Sequence, residues 1–337
     1  MIAKVRAELV GVTRRSVNMK RQPCRRPSHN TEEIHPMHAI VTHSYGGPEV
    51  LRFESRPDPV AGPGQVLVRV TAAGVNPIDF KRRSGAVREY FPIQFPGVLG
   101  YDLSGTVAAI GAGVSGFSVG DAVFGVADQT YAELCVVSVA ALARIPAGLD
   151  PVDAAAVPLV ALTGSQLAEG TSVSAGQTVI VTGALGGVGR AAVYTAKMRG
   201  ATVIAAVRGS QVAAAKEIGA DRVVATDDPA AVNALPIVDA VADAVGGPTA
   251  NALIAKVKAG GVFASVLGVP AAAKDHSSVR ATDIQFHPDA LALASLGQAV
   301  RDGKLRLPPV RRFAMRDAAL AHAAAESAGA GKIVLVV

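Results

Sequence analysis

Four glycines, Gly183, Gly186, Gly187 and Gly189, could bring bare main chain against a phosphate. They lie in Thr182-Gly-Ala-Leu-Gly-Gly-Val-Gly-Arg190, with Val188 between the last two. Glycine lets a backbone approach an anion closely. A helix starting there would add unpaired N–H groups and a partial positive charge. The chemistry is capture of a pyrophosphate. A second group stands twenty residues on, in Val207-Arg208-Gly209-Ser210, where no carboxylate follows until Glu217. In a dinucleotide fold this place meets the adenosine ribose, and Asp or Glu there selects NAD. Arg208 and Ser210 suit a 2′-phosphate instead, which favours NADPH over NADH. The other reading of Arg208 is a solvated loop charge.

Such a turn needs a strand to deliver it and a helix to leave it. Residues 178–181 are β-branched and uncharged, as a buried strand requires. Residues 190–199 read as a helix, Gly200 marks its end, and 201–207 read as a second strand. The pattern continues with a helix over 211–219, strands over 221–225 and 237–243, a helix over 248–258 stopped by Gly260 and Gly261, and a strand over 262–267. Strands alternating with helices predict a doubly wound parallel sheet. Ligands lie at the carboxyl ends of such strands, which adds Gly246, Gly247, Leu267 and Gly268 to the cofactor neighbourhood.

Ahead of this unit, 37–157 reads as short strands broken by glycine turns, a β-rich domain. Asp150 and Pro151 begin a helix. Behind it, 271–278 reads as a mobile loop, 289–302 and 316–327 as helices, 307–313 as extended and 332–337 as a closing strand.

The 337 residues allow two domains and an ample core. The longest uncharged stretch, 170–189, is full of Gly, Ser and Thr, so no membrane span is expected. Of the net charge of +6, residues 1–36 hold +5, with eight Lys or Arg and three acids. The rest is near neutral, so nucleic acid is not an expected partner. Residues 1–36 read as a disordered basic extension, and Met37 as the natural start of the folded chain. Two cysteines, Cys24 and Cys135, give no disulfide framework or metal cluster, which fits the cytoplasm.

Several segments in order resemble the medium-chain dehydrogenase/reductase superfamily, in its zinc-free, quinone oxidoreductase-like (zeta-crystallin-like) branch. They are Ala73-Gly-Val-Asn-Pro-Ile-Asp79, Pro96-Gly-Val-Leu-Gly-Tyr-Asp-Leu-Ser-Gly-Thr106, Val119-Gly-Asp-Ala-Val-Phe-Gly125, Tyr131-Ala-Glu133, Ala154-Ala-Ala-Val-Pro158, the glycine turn and Gly331-Lys-Ile-Val-Leu335. The resemblance implies a GroES-like catalytic domain from 37–157 and 289–337, a Rossmann NADPH-binding domain over 158–288, and a cleft between them. Members of the superfamily are commonly dimers, so it admits a homodimer.

Zinc members carry Cys where this chain has Asn76, and Gly-His-Glu where it has Gly100-Tyr101-Asp102. Asp79 and Asp102 alone make a poor zinc set, so no metal is expected. The resemblance places Asn76 nearest the nicotinamide end of the cleft. Its amide either binds substrate or cofactor, or ties the turn before Pro77. Tyr90 follows Ser84-Gly85 roughly where relatives carry a Tyr, and is a candidate proton donor. Packing in the β domain is its other reading, and Tyr101 competes for the donor role. Thr163, in Leu162-Thr-Gly164, matches a family Thr that touches the cofactor.

Without a metal to polarise a carbonyl, a conjugated acceptor suits the site. Hydride attack on a quinone or α,β-unsaturated carbonyl leaves a delocalised enolate that one or two hydrogen bonds can hold. The expected activity is NADPH-dependent, zinc-independent reduction of such an acceptor. The alternative is an NADPH-binding redox sensor or nucleic-acid binder without turnover on the same fold. A short-chain dehydrogenase is set aside, because a β block precedes the glycines and Tyr194 and Lys197 are three apart, not four.

Overall fold

The computed structural model describes residues 36–327 and 331–337. The extension expected over 1–36 lies, Pro36 aside, outside the described residues, as does Cys24.

Six parallel strands make one sheet. Their order in space is Arg222–Ala225, Thr202–Val207, Thr178–Thr182, Val238–Asp243, Val257–Ser265 and Arg280–Asp283. The chain works outward from Thr178–Thr182, then crosses to its other side at Val238–Asp243. That reversal opens a crevice at the strands' carboxyl ends. The central strands are apolar without alternation because both faces are covered. Val179, Val181 and Val203 pack on Leu167 and Ala192 on one face, and Ile180, Ile204 and Val241 on Leu253 and Phe263 on the other.

Three expectations for this sheet change. The helix expected over 211–219 is a single 3-10 turn, Gly209–Gln211, and a short helix, Val212–Ala215. The helix expected to reach Lys258 is Gly247–Leu253, and Gly260 and Gly261 lie inside the strand Val257–Ser265. A side chain at 261 would meet the Asp239 carbonyl of the next strand at 2.6 Å, beside a register shift between Val238 and Ala240. Glycine here serves close strand approach at an irregularity, not helix termination. The loop expected over 271–278 holds a 3-10 turn, Ala271–Asp275, and the edge strand Arg280–Asp283 follows it.

The second lobe is built on the eleven-residue strand Gln65–Val75. It pairs with Asp102–Ile110, with Leu134–Ser138 and with Lys332–Val336, all antiparallel. Val310–Ala314 extends the sheet beyond Lys332–Val336, and Ala122–Val126 and Leu142–Arg144 extend it on the other side. A three-stranded sheet, Arg52–Arg56, Met37–Thr42 and Gly97–Val98, packs beside it. Gln65–Val75 ends at Asn76, which starts the helix Pro77–Ser84 with Pro77 at its first position.

The helix Pro158–Gly170 joins the lobes. It packs on Gly187–Met198, the helix that leaves the glycine turn, and a Cβ at Gly164 would lie 2.2 Å from Val188 O. The two backbones are in direct contact there. Gly164→Leu should destabilise the chain by about 1–3 kcal/mol through overpacking and displace the turn. Urea unfolding reads the first effect, and an unchanged midpoint would contradict this packing.

Candidate active site

The glycine turn has the geometry of an anion cradle. Gly183 holds a positive φ of 59°, and its carbonyl accepts from Gly186 N–H at 2.9 Å. The helix Gly187–Met198 then begins with no side-chain cap, which leaves first-turn N–H groups for a ligand. A Cβ at Gly189 would stand 2.2 Å from Gly183 O, so any side chain there would burst the turn.

Beneath the turn, Asp243 ties three strand ends together. It is fully buried, and its carboxylate accepts from Thr182 Oγ1 at 2.7 Å, Ser265 Oγ at 2.8 Å and the N–H groups of Val245 and Gly246. Thr182 Oγ1 in turn accepts from Ala244 N–H. The crevice floor is thereby fixed by side chains from three strands.

A cleft of about 770 Å³ runs from this crevice to the β lobe. Gly183, Gly186, Gly187, Val188, Gly189 and Arg208 line it, and Asn76 lines its far end. Thr163, Ser210, Gly246, Leu267, Gly268 and Tyr90 are not among its lining residues. Val160, one turn before Thr163, and Gln211, one residue past Ser210, take those places. Gly246 and Leu267 sit against each other at neighbouring strand ends, beside Ala244 and Val245 of the lining. Tyr90 is 80% exposed, so it has neither the packing role nor a place in the cleft. Tyr101 accepts from Arg82 Nη1 at 3.0 Å, and burial raises its pKa. Its hydroxyl is engaged away from the cleft.

Sequence reasoning missed Phe80, Pro308, Pro309 and above all Lys332, which also line the cleft. The readable signal for Lys332 was a cation opening an otherwise apolar strand. Its ammonium is buried and donates to Asn76 Oδ1 and to Asp102 Oδ2 at 3.1 Å. Asn76 Nδ2 donates to the same Asp102 oxygen at 2.8 Å, and Asp102 Oδ1 accepts from Leu159 N–H at 2.6 Å. The Asn76 side chain therefore belongs to this cluster at the cleft wall. The turn before Pro77 is tied instead by Asp79, whose Oδ2 accepts the Asn76 backbone N–H at 2.8 Å.

A buried chain of donors continues behind Asp79. Arg83 can only donate, so its contact with His322 Nδ1 at 3.2 Å fixes the neutral Nε2–H tautomer. His322 Nε2 then donates to Tyr131 OH at 3.2 Å, and Tyr131 OH to Asp79 Oδ2 at 2.9 Å. Burial pushes the Asp79 carboxyl up to about 7, opposed by the hydrogen bonds from Asn76 and Tyr131. Burial, with Arg83, pushes His322 down to about 3.

Zinc does not fit these residues. The cation position between Asn76 and Asp102 holds the Lys332 ammonium, and an amide, a phenol and one carboxylate are poor zinc donors. Among the described residues no three His, Cys, Asp or Glu side chains converge. A dinucleotide does fit, since the uncapped helix start and the close approach at Gly189 leave a phosphate-sized place walled by main chain.

Lys332→Met should cost about 3–5 kcal/mol, because it strands the Asp102 carboxylate without its cation. Adding Asp102→Asn should recover part of the loss; a fully additive double variant, read by chemical unfolding, would refute the pairing. Asp79 keeps its proton in the fold up to about pH 7 but releases it near 3.8 when unfolded. Its contribution to stability therefore falls as pH rises from about 4 to about 7. His322, held neutral down to about 3, contributes the opposite slope up to about 6.5. Asp79→Asn leaves only the second slope. The stability of Asp79→Asn relative to the parent chain should thus climb between pH 4 and 7, by an amount on the order of a few kcal/mol. Parallel stability–pH curves would dismiss this assignment.

Residues 62–147 match the family described as alcohol dehydrogenase GroES-like domain, and 218–335 match zinc-binding dehydrogenase. The chain is 32% identical over 200 residues to the chloroplast envelope quinone oxidoreductase homolog of Arabidopsis thaliana, covering 56% of this chain and 60% of that protein. It is 33% identical over 198 residues to the chloroplastic NADPH-dependent alkenal/one oxidoreductase of the same plant, covering 55% and 51%. The match thus spans about half to three-fifths of the length of these curated relatives. The solved quinone oxidoreductase of Coxiella burnetii is 31% identical with a TM-score of 0.79, over 90% of this chain and 99% of that one. With both lobes, the glycine turn and the intervening cleft in place, the chain belongs to the medium-chain dehydrogenase/reductase superfamily, in its quinone oxidoreductase-like branch.

Proposed function

We propose that this chain is an NADPH-dependent, zinc-independent reductase of quinones or α,β-unsaturated carbonyls. The observation that carries the reading is one continuous cleft, with bare glycine amides and Arg208 at one end and the Asn76–Lys332–Asp102 cluster at the other. The names of two relatives, a quinone oxidoreductase homolog and an NADPH-dependent alkenal/one oxidoreductase, support the acceptor class and the coenzyme. Arg208 supports the choice of NADPH by its charge. The same reading carries a small-molecule acceptor, a homodimer and a cytoplasmic location. No helix among the described residues is long and apolar enough to cross a membrane.

The coenzyme, when bound, supplies the hydride. The chain's part is to hold, orient and stabilise. The glycine turn and the uncapped helix start hold the pyrophosphate. Phe80, Val160 and Pro308 give the acceptor ring apolar walls. Asn76 spends one amide hydrogen on Asp102 and carries a second, and its orientation is locked by Lys332. A locked donor costs no reorganisation when charge reaches the acceptor oxygen, which is the requirement for stabilising an enolate.

The purified protein should oxidise NADPH in the presence of 9,10-phenanthrenequinone, 1,4-benzoquinone or a simple enone, followed at 340 nm. Asn76→Ala should lower kcat on the order of 10²-fold while NADPH affinity changes little. Tight NADPH binding with no turnover on any quinone or enone would favour the sensor and reject the enzyme.

A further inference from the structure

The strand Thr202–Val207 ends without a carboxylate of its own, but the fold supplies one from its neighbour. Thr202–Val207 pairs in parallel with Arg222–Ala225, and the two ends are closed together. Thr226 donates to Val207 O twice, from its N–H at 2.7 Å and from Oγ1 at 3.1 Å. Asp227 follows, and its Oδ1 accepts Gly209 N–H at 2.6 Å. The next acid, Asp228, is spent on capping the helix Pro229–Asn233, where it accepts from Ala230 and Ala231. Asp227 has no such duty. Its second oxygen would lie 3.6 Å from a Cβ at Gly209 and is free to meet solvent or ligand.

Arg208 and Asp227 thus flank the same main-chain step. Arg208, Gln211 and Thr226 all line the cleft, so this is its adenosine end, and Asp227 stands at its rim, one residue past the lining. We infer that Asp227 is a coenzyme-selectivity residue, a fixed carboxylate set against Arg208 that penalises a 2′-phosphate and favours a ribose 2′-hydroxyl. The inference rests on the nicotinamide dinucleotide reading above. Its physical content is a sum of two opposed charges. Arg208 attracts the phosphate on a flexible side chain. Asp227 repels it from a carboxylate pinned by a main-chain hydrogen bond, and can accept from the free hydroxyl of NADH. The chain therefore discriminates between the two coenzymes less than Arg208 alone would dictate, and NADH binds as a usable second coenzyme.

The test measures dissociation constants of NADPH and NADH for the full chain by calorimetry. Asp227→Asn keeps an oxygen for Gly209 N–H and removes only the charge. Asp227→Ser is a second variant with a shorter acceptor. Either should raise the preference for NADPH over NADH about fivefold, mostly by tightening NADPH, a size set by like charges several ångströms apart near water. The gain should shrink in about 0.5 M salt, where such charges are screened. Arg208→Ala should move the preference the other way. A purely structural role for Asp227 would change both coenzymes alike, and an unmoved ratio in both variants overturns the inference while leaving the reductase intact. If the parent chain binds neither coenzyme, the reductase reading and this inference fail together.

Discussion

Everything at the β-lobe end of the cleft depends on the Asp102 carboxylate. One oxygen receives an amide from Asn76 and an ammonium from Lys332, and the other receives the main chain of Leu159. Those partners come from the end of Gln65–Val75, the start of Lys332–Val336 and the start of Pro158–Gly170. A buried carboxylate must be paired or pay a large desolvation cost. Here the pairing is met only when three distant segments converge, so the cost of burial becomes a requirement for correct assembly. The Asn76 amide takes its direction from the same requirement.

Asp243 plays the corresponding part in the parallel lobe. It draws hydroxyls from Thr182 and Ser265 and amides from the turn after its own strand. The two acids divide the labour. One fixes the floor of the crevice, the other fixes the Asn76 amide in the cleft wall. Between them runs Pro158–Gly170, touching Asp102 at its start and the glycine-turn helix at Gly164.

Much of this was legible in the amino acids. The parallel sheet could be read because its strands are covered on both faces and so show continuous β-branched runs, as at 178–181. The glycine turn could be read because close approach leaves no choice of residue. What failed did so for local reasons. Gly260 and Gly261 look like a helix stop, yet strand contact with Asp239 requires the glycine at 261, and a φ of +73° favours the one at 260. Tyr90 followed a Ser-Gly pair at unfamiliar spacing, and the extra residues carry it into solvent. Lys332 was passed over because a lysine opening an apolar strand reads equally well as a solvated strand end, and only the fold shows its burial. Asp227 was hidden because a linear search beyond Val207 runs forward along the chain, while the fold brings its neighbour in sideways across eighteen residues.

The long reach between Asn76 and Lys332, 256 positions apart, has a bearing on biosynthesis. Strand Gln65–Val75 is translated early but lacks its partner Lys332–Val336 for most of the chain's emergence. The parallel sheet, by contrast, is contiguous from Thr178 to Asp283 and can close on its own residues while translation continues. The nascent chain would then acquire its nucleotide crevice first and carry an unfinished sheet edge beside it. That edge, with a vacant hydrogen-bonding side and an Asp102 still lacking its lysine, needs shelter before release.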